Sequence, residues 1–155
     1  MKSVNYLDNF CRLMPIIYPS FYICLLPSSE ELVFLRSDGG LESHANEPET
    51  TIEGVLGGDK TACEAFANHV HLFEKVGEAG RQSCVHIGKC IARNLLRALA
   101  VSFPTKRFIV YLEVNVKDST IVRFHQMWDD EPPYIDVTQP FENGCELYAF
   151  STDCH

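Results

Sequence analysis

An alternating apolar pattern over residues 108–126 constrains the fold more than any other feature of this sequence. Every second residue of the first run, from Phe108 to Val116, is apolar, and the run from Ile121 to Gln126 alternates in a similar way after a polar turn at Lys117-Asp118-Ser119. Because successive side chains of a β-strand point to opposite faces, this pattern predicts an antiparallel hairpin with one face in a core. A further strand is predicted from Cys145 to Phe150, after the turn at Asn143-Gly144.

The N-terminal part of the sequence predicts a short helix and another hairpin. Val4 to Met14 has the spacing of an amphipathic helix, and Pro15 is expected to end it. Two short apolar runs follow, Phe21 to Leu26 and Leu32 to Arg36, separated by Pro27-Ser28-Ser29-Glu30. Such runs on either side of a turn sequence indicate a β-hairpin.

Between the two hairpins the sequence predicts two helices joined as an antiparallel pair. The first, from Lys60 to Val76, begins with Thr61 and Glu64 at the spacing of a capping box. The second, from Arg81 to Phe103, carries an apolar stripe and ends before Pro104. The stripe consists of Cys84, Ile87, Ile91, Leu95, Leu99 and Phe103.

These elements predict an α+β fold, with helices packed mainly on one face of an antiparallel sheet. The chain has 155 residues, a length typical of one domain, and we expect a single domain over residues 1–155.

Charge is divided unevenly along the chain. The net charge is −8, and from Phe124 to His155 there are seven acids and no lysine or arginine. Six more acids lie in the segment 38–59. Most of that segment, Leu41 to Gly58, is expected to be a surface loop with a short helix or strand around Thr51 to Leu56. An acidic surface repels nucleic acid and anionic membranes and favours cationic partners. Direct nucleic-acid or membrane binding is therefore not expected, although acids that simply keep the protein soluble explain the pattern equally well.

Basic residues concentrate between Arg81 and Arg107, a stretch that contains no acid. Lys89, Arg93 and Arg97 recur every fourth residue on the second predicted helix, on the side away from its apolar stripe. This row could bind an anion or nucleic acid, but a solvated helix face or an internal counterpart to the acidic segments is favoured in a chain of this charge.

The cysteines and histidines form no specific metal or catalytic motif. The seven cysteines include no C-x-x-C pair, and most lie in apolar runs where a free thiol acts as a small hydrophobe. His69 and His71 are two residues apart on the first predicted helix, so their side chains diverge. Neither a metal nor another cofactor is expected. The cysteine usage, with no secretory leader or membrane-spanning stretch, favours a cytoplasmic protein.

The loop that follows the 108–126 hairpin is the strongest candidate binding segment. It combines large amphipathic side chains, which are enriched at interface hot spots, with carboxylates that can pair with lysine or arginine. Pro132-Pro133 stiffens the segment and lowers the entropy lost on binding. The candidate partner-binding residues are Trp128, Asp129, Asp130, Glu131, Tyr134 and Asp136. Aromatic groups that close the core edge beside solvated acids are the alternative explanation.

Residues around this loop carry a family resemblance. Arg123-Phe124-His125-Gln126, then Trp128, then Glu131-Pro132-Pro133-Tyr134, resembles a pattern of bacterial immunity proteins from polymorphic toxin and contact-dependent growth inhibition systems. The similarity covers the C-terminal part of the chain and is moderately specific. Common proteins of this kind carry a glycine where this chain has Asp129-Asp130.

The resemblance implies a small, non-enzymatic cytosolic protein that binds and neutralises a cognate toxin domain. Many such toxins are nucleases with basic clefts, so the partner would be basic, and a monomer in a one-to-one complex is expected. A small acidic secretion chaperone that binds an effector segment, typically as a dimer, is the alternative. A small hydrolase with a Cys–His pair or clustered carboxylates is a third class, although no local signature marks one.

Overall fold

The computed structural model describes residues 13–26, 28–36, 58–139 and 144–153. Residues 13–17 are helical. The strands are β1 (Phe21–Leu25), β2 (Glu31–Leu35), β3 (His69–Glu74), β4 (Phe108–Val114), β5 (Ser119–Gln126) and β6 (Glu146–Ser151). The helices are α1 (Lys60–Ala67) and α2 (Gly77–Ser102).

The strands form two antiparallel sheets. β1 and β2 make a two-stranded hairpin, and the other strands form a four-stranded sheet in the order β3-β5-β4-β6. β4 pairs with β5 from Phe108 opposite Gln126 to Val114 opposite Thr120. Both predicted hairpins and the C-terminal strand are therefore confirmed. Helices and antiparallel sheets together confirm the α+β class.

The main core lies between α2 and one face of the four-stranded sheet. That face presents Val110, Leu112, Val122 and Phe124, all fully buried. α2 approaches β4 so closely at Gly88 that an added Cβ would stand 2.6 Å from a methyl carbon of Leu112. The α2 residues of this core are Cys84, Ile91, Ala92, Leu95 and Leu99. The predicted stripe is thus confirmed in most positions, but Ile87 is 43% exposed.

The predicted helix from Lys60 to Val76 is wrong beyond Ala67. Residues His69–Glu74 form β3, which pairs with β5. Val70 and Phe73 match a helical spacing, whereas Val70 and Leu72 alternate as in a strand, and pairing with β5 favours the strand. Phe66, which has a helical spacing with Cys63 and Val70, is 63% exposed.

Several predicted boundaries are also wrong. The N-cap of α1 is Asp59, whose side chain accepts a hydrogen bond from the Ala62 N–H at 2.7 Å, so Thr61 and Glu64 do not form a capping box. β3 separates the two helices, which are therefore not joined as a direct pair, and α2 begins at Gly77. Pro15 does not end the N-terminal helix, because a proline φ is compatible with helical geometry and residues through 17 are helical. Residues 4–12 and 41–57, with their predicted helix and loop, lie outside the described residues.

Candidate interaction surface

The two sheets are joined by side chains that form hydrogen bonds with the backbone groups along the second edge of β2. One edge of β2 pairs with β1, and the other faces α1. Asn68 accepts a hydrogen bond from the Leu35 N–H and donates to the Val33 carbonyl, each at 2.8 Å. The Gln126 side chain donates to the Glu31 carbonyl at 2.6 Å. Polar side chains therefore stand in for a neighbouring strand, which a buried edge requires.

Glu64 is the centre of this arrangement. It is fully buried in α1, yet its carboxylate receives four hydrogen bonds. The Val33 N–H donates to Oε1 at 2.7 Å, and the Gln126 side-chain amide donates to the same oxygen at 2.6 Å. The Gln126 backbone N–H donates to Oε2 at 2.8 Å, and the Trp128 indole N–H donates to it at 3.2 Å. One carboxylate thus links β2, α1, the end of β5 and the loop beyond it.

Burial disfavours the charged form of the Glu64 side chain. Burial raises the pKa of Glu64 to about 7, although the hydrogen bonds from Val33, Gln126 and Trp128 act to lower it. An acid whose pKa is higher in the folded than in the unfolded chain contributes most stability at low pH. That contribution is lost as pH rises from the unfolded value through about 7.

Residues 127–139, here called the exit segment, fold back onto the N-terminus of α1. The Glu131 carboxylate accepts hydrogen bonds from the backbone N–H groups of Lys60 and Thr61, at 3.1 and 2.7 Å. Asp59 accepts from Ala62 with its side chain and from Cys63 with its carbonyl. Three of the four N–H groups that a helix leaves unpaired at this end are thus satisfied, and the Cys63 N–H makes the first bond within the helix.

Lys60 holds the exit segment and the β1–β2 turn together. Its ammonium nitrogen lies 2.7 Å from Glu30 and 3.0 Å from Asp130, and 4.5 Å from the centre of the Trp128 ring. Burial acts to lower the pKa of Lys60, but hydrogen bonds to Glu30 and Asp130 outweigh it and hold the pKa above its ordinary value. The hydrogen bond from Lys60 in turn lowers the pKa of both partner carboxyls.

The surface around Lys60 keeps an excess of negative charge. We call it the acidic junction: Glu30, Asp59, Asp130 and Glu131 around Lys60. Four carboxylates there accompany one ammonium group, which is itself almost completely buried. Asp129 stands beside the junction, paired with Arg107 but with its side chain 92% exposed. The solvent therefore meets mainly the acids.

The rest of the exit segment covers the other face of the sheet around His125. His125 is buried, its Nδ1–H donates to the Gln126 carbonyl at 2.5 Å, and its Nε2 accepts from the Tyr134 N–H at 3.3 Å. The Tyr111 hydroxyl donates weakly to the Ile135 carbonyl, at 3.5 Å. The Arg123 guanidinium lies over the Tyr134 ring, 5.2 Å from its centre. These contacts require a neutral imidazole, and burial lowers the pKa of His125 accordingly.

The six residues predicted to bind a partner have different positions in the structure. Asp130 and Glu131 lie in the acidic junction, and Asp129 stands next to it. Trp128 lies beneath it, half-buried against the smaller core of Leu26, Leu32, Phe34 and Cys63. Tyr134 lies over Arg123, on the sheet face around His125, and remains 40% exposed.

Asp136 is separate from the junction and forms a local turn. Its carboxylate accepts hydrogen bonds from the Thr138 N–H and hydroxyl, and the same bonds lower the pKa of the Asp136 carboxyl. Each predicted residue therefore has a contact inside the chain, and their role in binding a partner stays a prediction. Sequence reasoning missed Glu64 and Lys60, although Lys60, Cys63, Glu64 and Ala67 have the spacing of one helical face.

Metal-ligand clusters and membrane-spanning helices are both absent from the described ranges. There, no three or more histidines, cysteines and acids are grouped so as to hold a metal ion. No helix in the same ranges combines the length and the apolar character needed to cross a bilayer. Comparisons with protein-family models, curated proteins and solved structures found no match.

Replacing Glu64 with glutamine should destabilise the protein while preserving side-chain size. Each carboxylate oxygen accepts two N–H groups, so the new NH2 would face two donors in either orientation. We expect Glu64→Gln to lower the free energy of unfolding by about 1–3 kcal/mol at pH 8, measured by urea denaturation. Glu78→Gln, which removes an exposed acid of α2, is the matched control and should change it far less. Equal effects would show that the four bonds contribute little.

His125 should make stability depend on pH. Because its pKa is lower in the folded than in the unfolded chain, the unfolded chain binds a proton first as pH falls below about 6.5. The advantage in unfolding free energy of the wild type over His125→Gln should therefore shrink as pH is lowered from 7 to 5. Urea denaturation across that range measures the difference between the two proteins. A difference that stays constant would mean that His125 keeps its ordinary pKa.

Proposed function

We propose that this protein is a non-enzymatic immunity protein that binds and neutralises a cognate toxin domain in the cytosol. The toxin surface that it binds is basic, and the complex is one-to-one. The observation that carries this proposal is the acidic junction together with Asp129. Acids are exposed there on a segment that is fixed to the protein at several points.

Fixed positions suit these carboxylates to recognition. Glu131 is held by two backbone N–H groups and Asp130 by Lys60, so neither side chain has to be ordered again when a partner binds. A preorganised surface loses less conformational entropy on binding than a flexible one. The excess of acid would also increase the association rate with a basic partner.

Some residues of the exit segment would contact the toxin, and others would hold those residues in position. Asp129 and Asp130 have side chains 92% and 68% exposed and would meet lysine or arginine of the toxin directly. Tyr134 and Asp136, both exposed, would extend the contact along the segment. Trp128 and Glu131 lie deeper and position the others. An interface of standard size, roughly 1,600 Å² in total, would reach beyond these residues.

A charge-removing variant tests this surface without disturbing the cap of α1. Asp129→Asn together with Asp130→Asn keeps Glu131 and the side-chain shapes. The ligand is the C-terminal toxin domain encoded beside this chain, with affinity measured by isothermal titration calorimetry at two salt concentrations. We expect the double variant to bind roughly tenfold more weakly, with a smaller loss of affinity when salt is added.

Asp118→Asn is the matched control, because Asp118 is an exposed acid at the opposite end of the β4–β5 hairpin. It should bind like the wild type, and the wild type should protect cells that express the toxin domain. A neighbouring domain that neither binds nor harms cells would contradict the proposed function. If the protein sediments as a dimer and binds an unfolded effector segment, it is a secretion chaperone instead.

A further inference from the structure

The basic residues of α2 lie along β6 in a regular way. The Lys89 ammonium is 3.7 Å from the centre of the Tyr148 ring, and the Arg93 guanidinium is 5.4 Å from that of Phe150. Arg97 and Thr152 both line a single cleft at the end of β6. A step of four residues on α2 therefore corresponds to a step of two residues along β6 and just beyond it. We call Lys89, Arg93 and Arg97 the cation row.

The spacing of the cation row matches that of an extended chain. Four residues of an α-helix rise about 6 Å, and two residues of a β-strand rise about 6.6 Å. Side chains on one face of an extended segment that ran beside β6 would therefore recur at nearly the same interval as the cations. β6 is an outer strand of the described four-stranded sheet, so such a segment would lie next to the row.

The positive charge of the row is offset only in part within the described residues: hydrogen bonds from Tyr148 and Arg81 lower the pKa of the Glu146 carboxyl, and the charge of Lys89 adds to that effect. Within those ranges, no carboxylate lies at ion-pair distance from Lys89, Arg93 or Arg97. The acids nearby already have partners: Glu146 pairs with Arg81, Glu31 with Lys106 and Asp153 with Arg107. The row is thus a basic surface on an acidic protein.

The row ends in a cleft of about 540 Å³ between the C-terminal half of α2 and the end of β6. Its apolar lining comes from Leu96, Ala100 and Pro104, and Lys106 adds a further cation. The Thr152 hydroxyl oxygen accepts a hydrogen bond from the Phe108 N–H at 3.1 Å, which leaves its own hydrogen to donate. The negative end of the α2 dipole lies nearby, so the cations must supply the attraction for an anion.

We propose that the cation row and its cleft bind an extended acidic segment of a partner protein. Alternate aspartate or glutamate side chains of that segment meet Lys89, Arg93 and Arg97, and its end occupies the cleft. The site is separate from the acidic junction and has the opposite charge. It therefore stands whether or not the proposed immunity function is correct.

Two synthetic peptides test the spacing argument. The first has ten residues that alternate threonine and glutamate, and the second has the same composition with all its glutamates in one block. Fluorescence anisotropy of labelled peptides on the full chain measures both affinities at the same salt concentration. We expect the alternating peptide to bind about tenfold more tightly. Equal affinities would overturn the proposal. They would mean that the surface attracts negative charge whatever the spacing of the glutamates along the peptide.

Variants locate the site. Arg93→Ser with Arg97→Ser should weaken binding of the alternating peptide about tenfold, whereas the double variant Lys75→Ser with Lys117→Ser, which removes two exposed cations elsewhere, should not. Both variants should give the circular dichroism spectrum of the wild type. Unchanged binding after loss of the two arginines would exclude this surface.

Two further measurements distinguish other occupants. A twelve-nucleotide thymidine oligomer should bind more weakly than the alternating peptide, and tighter binding would make the row a nucleic-acid site instead. Replacing Glu47, Glu49 and Glu53 of this chain with glutamine should leave peptide affinity unchanged. A large increase in affinity would mean that the acidic segment of the chain itself is the occupant, which would overturn a site for a partner.

Discussion

A buried carboxylate that needs several hydrogen-bond donors is the constraint on which the rest of this structure depends. A charge removed from water is tolerated only where the protein replaces its hydration. Glu64 obtains that replacement from three separate parts of the chain, through Val33, Gln126 and Trp128. The β1–β2 hairpin, the end of β5 and the exit segment are therefore fixed to α1 by one side chain, and removing it would leave buried donors in all three.

This link explains why the acids of the exit segment are held in place. Trp128 is anchored by Glu64 and lies under the ammonium of Lys60, which in turn fixes Asp130. The carboxylates that Lys60 holds lie at the surface beside the N-terminus of α1. The cation row lies on α2 beside β6. Two surfaces of opposite charge are thus separated on one small chain.

The parts of the fold that could be predicted are those with an unambiguous local pattern. Phe108 to Gln126 alternates over two whole strands, and both were predicted. The sequence of β3 matches helical and strand spacings alike, and its pairing with β5 depends on residues about fifty positions away. Glu64 has the spacing of a cap, whereas its donors lie 31 to 64 residues away in sequence. The candidate loop could be predicted as acidic and aromatic, but its attachment to Lys60, some 70 residues distant, could not.

Hydrogen exchange measured by nuclear magnetic resonance tests the central role of Glu64 most directly. The probes are the backbone N–H groups of Val33 and Gln126 and the indole N–H of Trp128, compared in the wild type and Glu64→Ala, which removes both acceptor oxygens. If one carboxylate joins these parts, exchange should accelerate at all three probes together, while the Val110 amide in the centre of β4 stays protected. Acceleration at a single probe, or at none, would contradict the account.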